Sequence, residues 1–90
     1  MQMTLNQFVN FVEERELSVN QREVLFHLLR LGGRGTMHDI SLSMRKPVHA
    51  ISGRFSELER KGCVMRAYKR GRWTVYELME KPEAGKDGNK

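Results

Sequence analysis

Residues 36–62 read TMHDISLSMRKPVHAISGRFSELERKG, and the helix cap, the turn and the helix stop in this segment decide the fold of the chain. Thr36 is a favourable N-cap, so a short helix is predicted over about 38–44. Arg45-Lys46 then forms a turn, and Pro47 fits the first turn of a second helix over about 47–61, where its missing N–H costs nothing. Gly62 ends that helix. Its apolar residues form a narrow stripe at helical spacing: Val48, Ile51, Phe55 and Leu58.

After Gly62 the period of the sequence changes from helical to alternating. From 63 to 79, β-branched and aromatic residues alternate with others, and Lys69-Arg70-Gly71-Arg72 interrupts the alternation. This pattern predicts a β-hairpin with a basic tip, in which Gly71 supplies the turn conformation. The segment 82–90 contains few apolar residues and is predicted to be a flexible tail.

Two further helices are predicted before Thr36. Each begins at a pair of residues with capping-box spacing, Thr4 with Gln7 and Ser18 with Gln21. The first helix is expected over about 4–15, and the second ends at Gly32-Gly33, because glycine adopts the left-handed conformation that terminates helices.

The apolar residues of the first helix do not all share one face. Leu5, Phe8, Val9 and Val12 recur at helical intervals, whereas Phe11 lies off this stripe and is expected to be exposed. This helix precedes the segments predicted to form the rest of the domain.

The predicted order of elements is helix, helix, short extended link at 35–37, helix, helix, hairpin. This order belongs to the α+β class. A short helix, a tight turn and a longer amphipathic helix form a helix-turn-helix, and the hairpin follows it directly. We expect one domain over 1–81, with a core over about 18–79 and the helix at 4–15 added to it.

The net charge of +5 is unevenly distributed along the chain. Residues 45–72 contain nine Lys or Arg side chains and only two carboxylates, Glu57 and Glu59. A local basic field attracts polyanions, because phosphate neutralisation releases condensed counterions. The distribution therefore favours a nucleic-acid partner for this part of the chain, although a basic surface with no such partner has the same charge.

The composition also excludes several classes of protein. Cys63 is the single cysteine, so neither an internal disulfide nor a cysteine-rich zinc module is expected. No apolar stretch is long enough for a transmembrane helix, and the first residues lack the pattern of a secretory signal. We therefore expect a cytoplasmic, nucleoid-associated protein without membrane contact.

The segments 38–44 and 46–62 resemble the winged helix-turn-helix DNA-binding superfamily, in particular MarR-like regulators and small phage-type DNA-binding proteins. The run Leu58-Glu59-Arg60-Lys61-Gly62 matches the end of the family's recognition helix, and Tyr76-Glu77-Leu78 matches the end of its hairpin. The resemblance implies a three-helix core, a β-hairpin wing and double-stranded DNA as partner, in a transcriptional regulator or a phage or plasmid DNA-transaction factor. The sequence departs from the family at two positions. Arg45 stands where the family usually has glycine. Leu42 is apolar where the family is usually polar, and it is expected to pack on the first helix.

A helical wheel places Lys46, His49 and Gly53 opposite the apolar stripe of helix 47–61, with Ser52 and Arg54 on the flanks of that face. Helix 47–61 would read the major groove, where Arg54 offers a two-toothed contact to guanine. Gly53 would permit close approach of the helix backbone to DNA. The wing, 68–73, would contact the backbone or the minor groove. The candidates are Lys46, His49, Ser52, Gly53, Arg54, Lys69, Arg70 and Arg72.

Other interpretations remain open from the sequence. A winged helix can also serve as a protein-interaction module, here through the strip Leu5, Phe8, Phe11 and Val12. The first helix either forms a homodimer interface or folds back to complete a small core. Trp73 either stacks on a nucleotide or packs within the hairpin.

No catalytic site is indicated. His27, His38 and His49 lie on three predicted helices without a metal-ligand spacing, and no catalytic or phosphate-loop motif is present. We therefore predict no enzyme activity, no metal, no cofactor and no small-molecule ligand.

Overall fold

The computed structural model of the chain describes residues 4–79. The predicted tail at 82–90 lies outside these residues. Four helices and three strands follow the predicted order, and the predicted extended link forms a short strand in addition to the two strands of the hairpin. The elements are α1 (Leu5–Arg15), α2 (Val19–Arg30), β1 (Arg34–Thr36), α3 (Met37–Met44), α4 (Val48–Arg60), β2 (Val64–Arg70) and β3 (Trp73–Leu78).

Three of the four helices begin with a complete capping box. In α1 the Gln7 N–H donates to Thr4 Oγ1 at 3.1 Å, and in α2 the Gln21 N–H donates to Ser18 Oγ at 3.2 Å. Both predicted capping boxes are therefore confirmed. Each satisfies backbone N–H groups that a helix start leaves unpaired, an effect worth about 1 kcal/mol. In α4, Pro47 is the N-cap, one position before the predicted first turn.

The turn between α3 and α4 contains a residue in the left-handed region. Arg45 has φ 59° and ψ 42°, the conformation that usually favours glycine at a helix end. Its N–H still donates to the carbonyl oxygen of Leu42, at 3.3 Å. The chain therefore accepts a locally strained residue to keep the turn between the two helices short.

The three strands form one antiparallel sheet in the order β1-β3-β2. Strands β2 and β3 form the predicted hairpin, with Gly71 at φ 64° in its turn. The register shifts between Arg66 and Tyr68. On the other side of β3, Thr36 of β1 pairs with Val75. The start of α3 is thus tied to the central strand of the sheet.

The core lies between the helices and the sheet. Ile51, Phe55 and Leu58 of α4 are buried, as their stripe predicts, and the Phe55 ring lies 4.7 Å from the ring of Tyr76 on β3. Strand β3 is buried at Val75, Tyr76 and Leu78. Burial of this apolar surface is the main favourable contribution to folding.

Helix α1 folds back onto this core, which corrects the expectation for its faces. Phe11 is only 4% exposed and packs with Phe8 and Val12, whereas Leu5 is 69% exposed. Buried positions 8, 11 and 12 define a helical face that is rotated from the predicted stripe. The guanidinium of Arg15 lies 4.1 Å from the centroid of the Phe11 ring and covers it.

The expectation for Leu42 is also wrong. Its side chain is 65% exposed and borders a surface groove with Leu31 and Arg34. Position 42 faces outward on α3, since Ile40 is the fully buried residue of that helix.

Candidate nucleic-acid interface

The outer face of α4 is open and carries small side chains near its middle. A Cβ atom built at Gly53 would meet no heavy atom within 4 Å. Ser52 is half-buried beside it, and His49, Ala50 and Ser56 are exposed. The wheel therefore places Gly53 correctly, away from the core. A helix surface of this kind can approach another molecule closely with its backbone.

Lys46 stands at the entrance to α4, in the turn after α3. Its Nζ lies 3.7 Å from Oε1 of Glu23 on α2, and both side chains are nearly half exposed. Such a long, solvated ion pair contributes little to stability, about 1 kcal/mol or less. Lys46 can therefore exchange this partner for another anion at small cost.

Arg54 is held more firmly than its neighbours. Its Nε donates to Oε1 of Glu57 and its Nη2 donates to Oε2, both at 2.8 Å. The Nε2 of the buried Gln21 also donates to Oε1 of Glu57 at 2.8 Å. The guanidinium fork that was expected to contact guanine therefore has an intramolecular carboxylate partner. Its role in DNA contact stays a prediction.

These hydrogen bonds hold the pKa of Glu57 well below its ordinary value, at about 2. The Arg54 side chain is the largest cause and the Gln21 side chain the second. Hydrogen bonds to the ionised form of a carboxylate favour that form. The sequence contained a signal for this pair, because residues three apart on a helix are neighbours. The Gln21 contact, from another helix, had no such signal.

The wing tip presents three cations in different environments. Lys69, Arg70 and Arg72 are exposed. Within residues 4–79, Lys69 makes no ion pair, whereas Nη1 of Arg70 lies 3.3 Å from Oδ2 of Asp39. The guanidinium of Arg72 lies 5.6 Å from the centroid of the Trp73 ring. The structure thus brings a basic group to the hairpin tip, as predicted, and gives two of its members protein partners.

Trp73 packs against the protein in the free chain. Its ring stacks on the ring of His38, with centroids 5.4 Å apart and an angle of 21° between the planes. From the sequence, packing within the hairpin and stacking on a nucleotide were both open for this residue, and the structure provides a packing partner on α3.

Asp39 is a residue of this region that the sequence analysis did not single out. Its carboxylate accepts the N–H of Thr36 at 3.0 Å and closes the third capping box. The pKa of Asp39 is lowered, first by this backbone hydrogen bond and also by Arg70. The spacing of Thr36 and Asp39 was a local signal for the cap, but nothing local indicated the contact with Arg70.

Three further observations on residues 4–79 concern metal binding, the cysteine thiol and membrane insertion. No group of three or more His, Cys, Asp or Glu side chains there is arranged to hold a metal ion. Cys63 is fully buried, and burial raises the pKa of its thiol to about 11. Among the helices of this part of the chain, none has the length and apolarity required to span a membrane.

No protein-family model and no curated protein matches the chain. The organohalide-sensing transcriptional regulator RdhR, in its 2,4-dichlorophenol-bound form, superposes with a TM-score of 0.69 at 21% identity, over 88% of this chain and 48% of RdhR. The chain thus spans about half the length of RdhR.

Two other solved structures give similar results. Overoxidized AbfR bound to DNA superposes with a TM-score of 0.67 at 15% identity, over 91% of this chain and 63% of AbfR. An ArsR family transcriptional regulator superposes with a TM-score of 0.59 at 20% identity, over 93% of this chain and 82% of that one. At these identities the likeness concerns the fold. With its short helix, turn, longer helix and β-hairpin, the chain is an α+β protein with the winged helix-turn-helix fold.

Proposed function

We propose that this chain is a double-stranded DNA-binding transcriptional regulator that reads the major groove with α4 and contacts the backbone or minor groove with the wing, 68–73. The observation that carries the proposal is the open outer face of α4. Gly53 leaves room at its centre, and Lys46 and His49 stand at its N-terminal end. The first half of a recognition helix is the part that usually reaches base edges.

The side chains of this surface are suited to different parts of the DNA. His49 and Ser52 carry hydrogen-bonding groups suited to base edges, and Lys46 is suited to a phosphate flanking the helix start. At the wing, Lys69 and Arg72 are long, exposed cations at the hairpin tip, suited to phosphates. Arg54 would join them only after exchanging Glu57 for DNA.

The structural neighbours support a role of this kind. RdhR and the ArsR family protein are transcriptional regulators, and AbfR was captured bound to DNA. At least one chain that superposes on most of this one therefore binds DNA. RdhR also binds 2,4-dichlorophenol. For this chain we retain the interpretation that DNA is the partner and that no small-molecule ligand is required.

The test is a fluorescence-anisotropy titration of a labelled mixed-sequence duplex at several salt concentrations. If about four phosphates are contacted, the logarithm of the binding constant should fall with the logarithm of salt with a slope of about −3.6. Lys69→Ala should weaken binding to all sequences and reduce the magnitude of the slope by about one. The matched control is Arg22→Ala, which removes an exposed cation from α2.

Two results would contradict the proposal. One is the absence of salt-dependent binding by the unaltered chain. The other is an equal loss of affinity in Lys69→Ala and Arg22→Ala, because a general charge effect would then explain the binding without the wing.

A homodimer through the first helix needs a surface other than the buried part of the strip Leu5, Phe8, Phe11 and Val12. Phe8, Phe11 and Val12 are buried in the core of the chain. The exposed apolar residues nearby include Leu5 and Val9 on α1 and Val19 and Phe26 on α2. We propose that any self-association uses this outer surface. Light scattering of Phe26→Ser against the unaltered chain tests it: a dimer that persists unchanged in the variant would contradict the proposal.

A further inference from the structure

The tip of the wing contacts the first turn of α3 through two neighbouring residues. His38 stacks on Trp73, and Asp39 forms an ion pair with Arg70. Arg70 is the last residue of β2 and Trp73 the first of β3, so the two contacts hold both strands of the hairpin where they meet its turn. The wing is therefore not a free arm: it is docked on the helix that precedes the recognition helix.

The docking surface on α3 is itself firmly placed. The Asp39 carboxylate closes the capping box with Thr36, and Thr36 pairs with Val75 in the sheet. The side chain of Asp39 is 33% exposed and that of Arg70 is 58% exposed, so the carboxylate is the more enclosed partner. A carboxylate fixed by a hydrogen bond from the backbone is a suitable anchor for the more exposed guanidinium of Arg70.

We propose that Asp39 and His38 are positioning residues that dock the wing, and that DNA binding by Lys69 and Arg72 depends on this docking. The inference rests on the proposed function. It changes the role of Arg70, which acts through Asp39 to orient the hairpin and does not contact a phosphate. Arg72 shares in the arrangement, because its guanidinium lies beside the ring that stacks on His38.

Two contacts orient a hairpin better than one. A single exposed ion pair is weak and screened by salt, and a single ring stack permits rotation. Together they fix two points at the base of the tip. Lys69 and Arg72, next in sequence to the docked residues, are then ordered before DNA arrives. Ordering in the free protein lowers the entropic cost of binding.

Removing the Asp39 charge should change DNA affinity in opposite directions, depending on whether Asp39 docks the wing or has no positioning role. A carboxylate at a DNA-binding surface repels phosphates, so Asp39→Asn should strengthen binding if Asp39 has no positioning role. If Asp39 docks the wing, the same change should weaken binding. Asparagine retains a side-chain oxygen that can accept the Thr36 N–H, so the helix cap is preserved. Because Arg70 Nη1 donates to the same oxygen, Oδ2, the change removes the charge that strengthens this contact.

The experiment measures DNA affinity for the unaltered chain, Asp39→Asn, Arg70→Gln and the double variant. We expect each single change to weaken binding by about threefold or more, and the double variant to be no weaker than the weaker single, because both changes act on the same contact. Arg70→Gln should keep the salt slope of the unaltered chain. The matched control is Glu77→Gln, which breaks the Arg34–Glu77 ion pair on the same sheet and should not weaken binding.

Trp73 provides a readout in the free protein, since it is the single tryptophan of the chain. Asp39→Asn and His38→Ala should each shift its emission to longer wavelength while the far-ultraviolet circular dichroism stays that of a folded chain. Stronger or unchanged DNA binding by Asp39→Asn, or unchanged Trp73 emission in both variants, would overturn the docking role. Failure of the unaltered chain to bind DNA would instead overturn the proposed function, and this inference with it.

Discussion

At the scale of single residues, Gly53 is a position where helix stability and DNA binding favour different side chains. Glycine in an exposed helix interior is less favourable than alanine by about 1 kcal/mol. Apart from its chain neighbours and the backbone of its own helix, a Cβ atom at this position would meet no heavy atom within 4 Å. We therefore predict that Gly53→Ala raises the free energy of unfolding by up to about 1 kcal/mol and weakens DNA binding, because the methyl group separates the helix backbone from the groove.

Urea unfolding and DNA titration of the same preparation check both halves of this prediction. Ser56→Ala is the control, since it changes an exposed residue of α4 that already has a side chain. A Gly53→Ala protein that is more stable and binds DNA as well as the unaltered chain would contradict the close-approach interpretation, although not the fold.

At the scale of elements, the sequence predicted the helix starts, the helix ends and the hairpin, because residues close together in the chain determine them. Thr4 with Gln7 and Ser18 with Gln21 fix helix starts within four residues, and the glycines at 32, 33 and 62 mark helix ends. The hairpin was equally visible, because its alternation and its turn are contiguous. These features depend on neighbours in the chain, and a pattern can therefore reveal them.

The contacts that join elements were not predictable in the same way. A helical wheel finds one apolar face for α1, but which residues are buried depends on where the helix lands, and Phe11 was misjudged for this reason. The pairing of β1 with β3 and the contacts of Arg70 and Arg54 with carboxylates also depend on tertiary placement. The candidate site was therefore found as a set of cations, whereas the acidic and aromatic partners that hold some of them were missed.

The link between α2 and α4 through Glu57 predicts a pH dependence of stability. The pKa of Glu57 is about 2 in the folded chain, below the ordinary 4.5 of an unconstrained glutamate. The folded state thus favours the ionised carboxylate. Its stabilising contribution is fully present above pH 4.5 and is lost as the pH falls towards 2.

Glu57→Gln should therefore be less stable than the unaltered chain at neutral pH, and the difference should shrink as the pH falls from about 5 to about 2. Urea unfolding at a series of pH values measures this difference directly. Ser56→Ala again serves as control, because it removes no charge and its offset should not vary with pH. A Glu57→Gln offset that is constant over this range would show that the Arg54 and Gln21 contacts do not stabilise the charge.

At the scale of the whole molecule, α1 completes the core of a small domain. A chain of this size buries a smaller fraction of its surface than a large domain, so each additional buried aromatic residue matters. Phe8, Phe11 and Val12 supply such surface from outside the helix-turn-helix and wing. The winged fold and its N-terminal helix should therefore unfold as one cooperative unit.

Truncation of the buried face of α1 tests this unity. Phe11→Ala should lower the free energy of unfolding by about 3–5 kcal/mol, and Val12→Ala, a smaller truncation that keeps the chain measurable, by about 2 kcal/mol. Leu5→Ala, on the exposed side of the same helix, should change it by less than about 0.5 kcal/mol. Circular dichroism and Trp73 emission followed through one urea titration should give coincident transitions in every variant. If Val12→Ala instead left the unfolding curve unchanged, or melted α1 in a separate early transition while Trp73 stayed native, α1 would be an appendage of the winged domain and not part of its core.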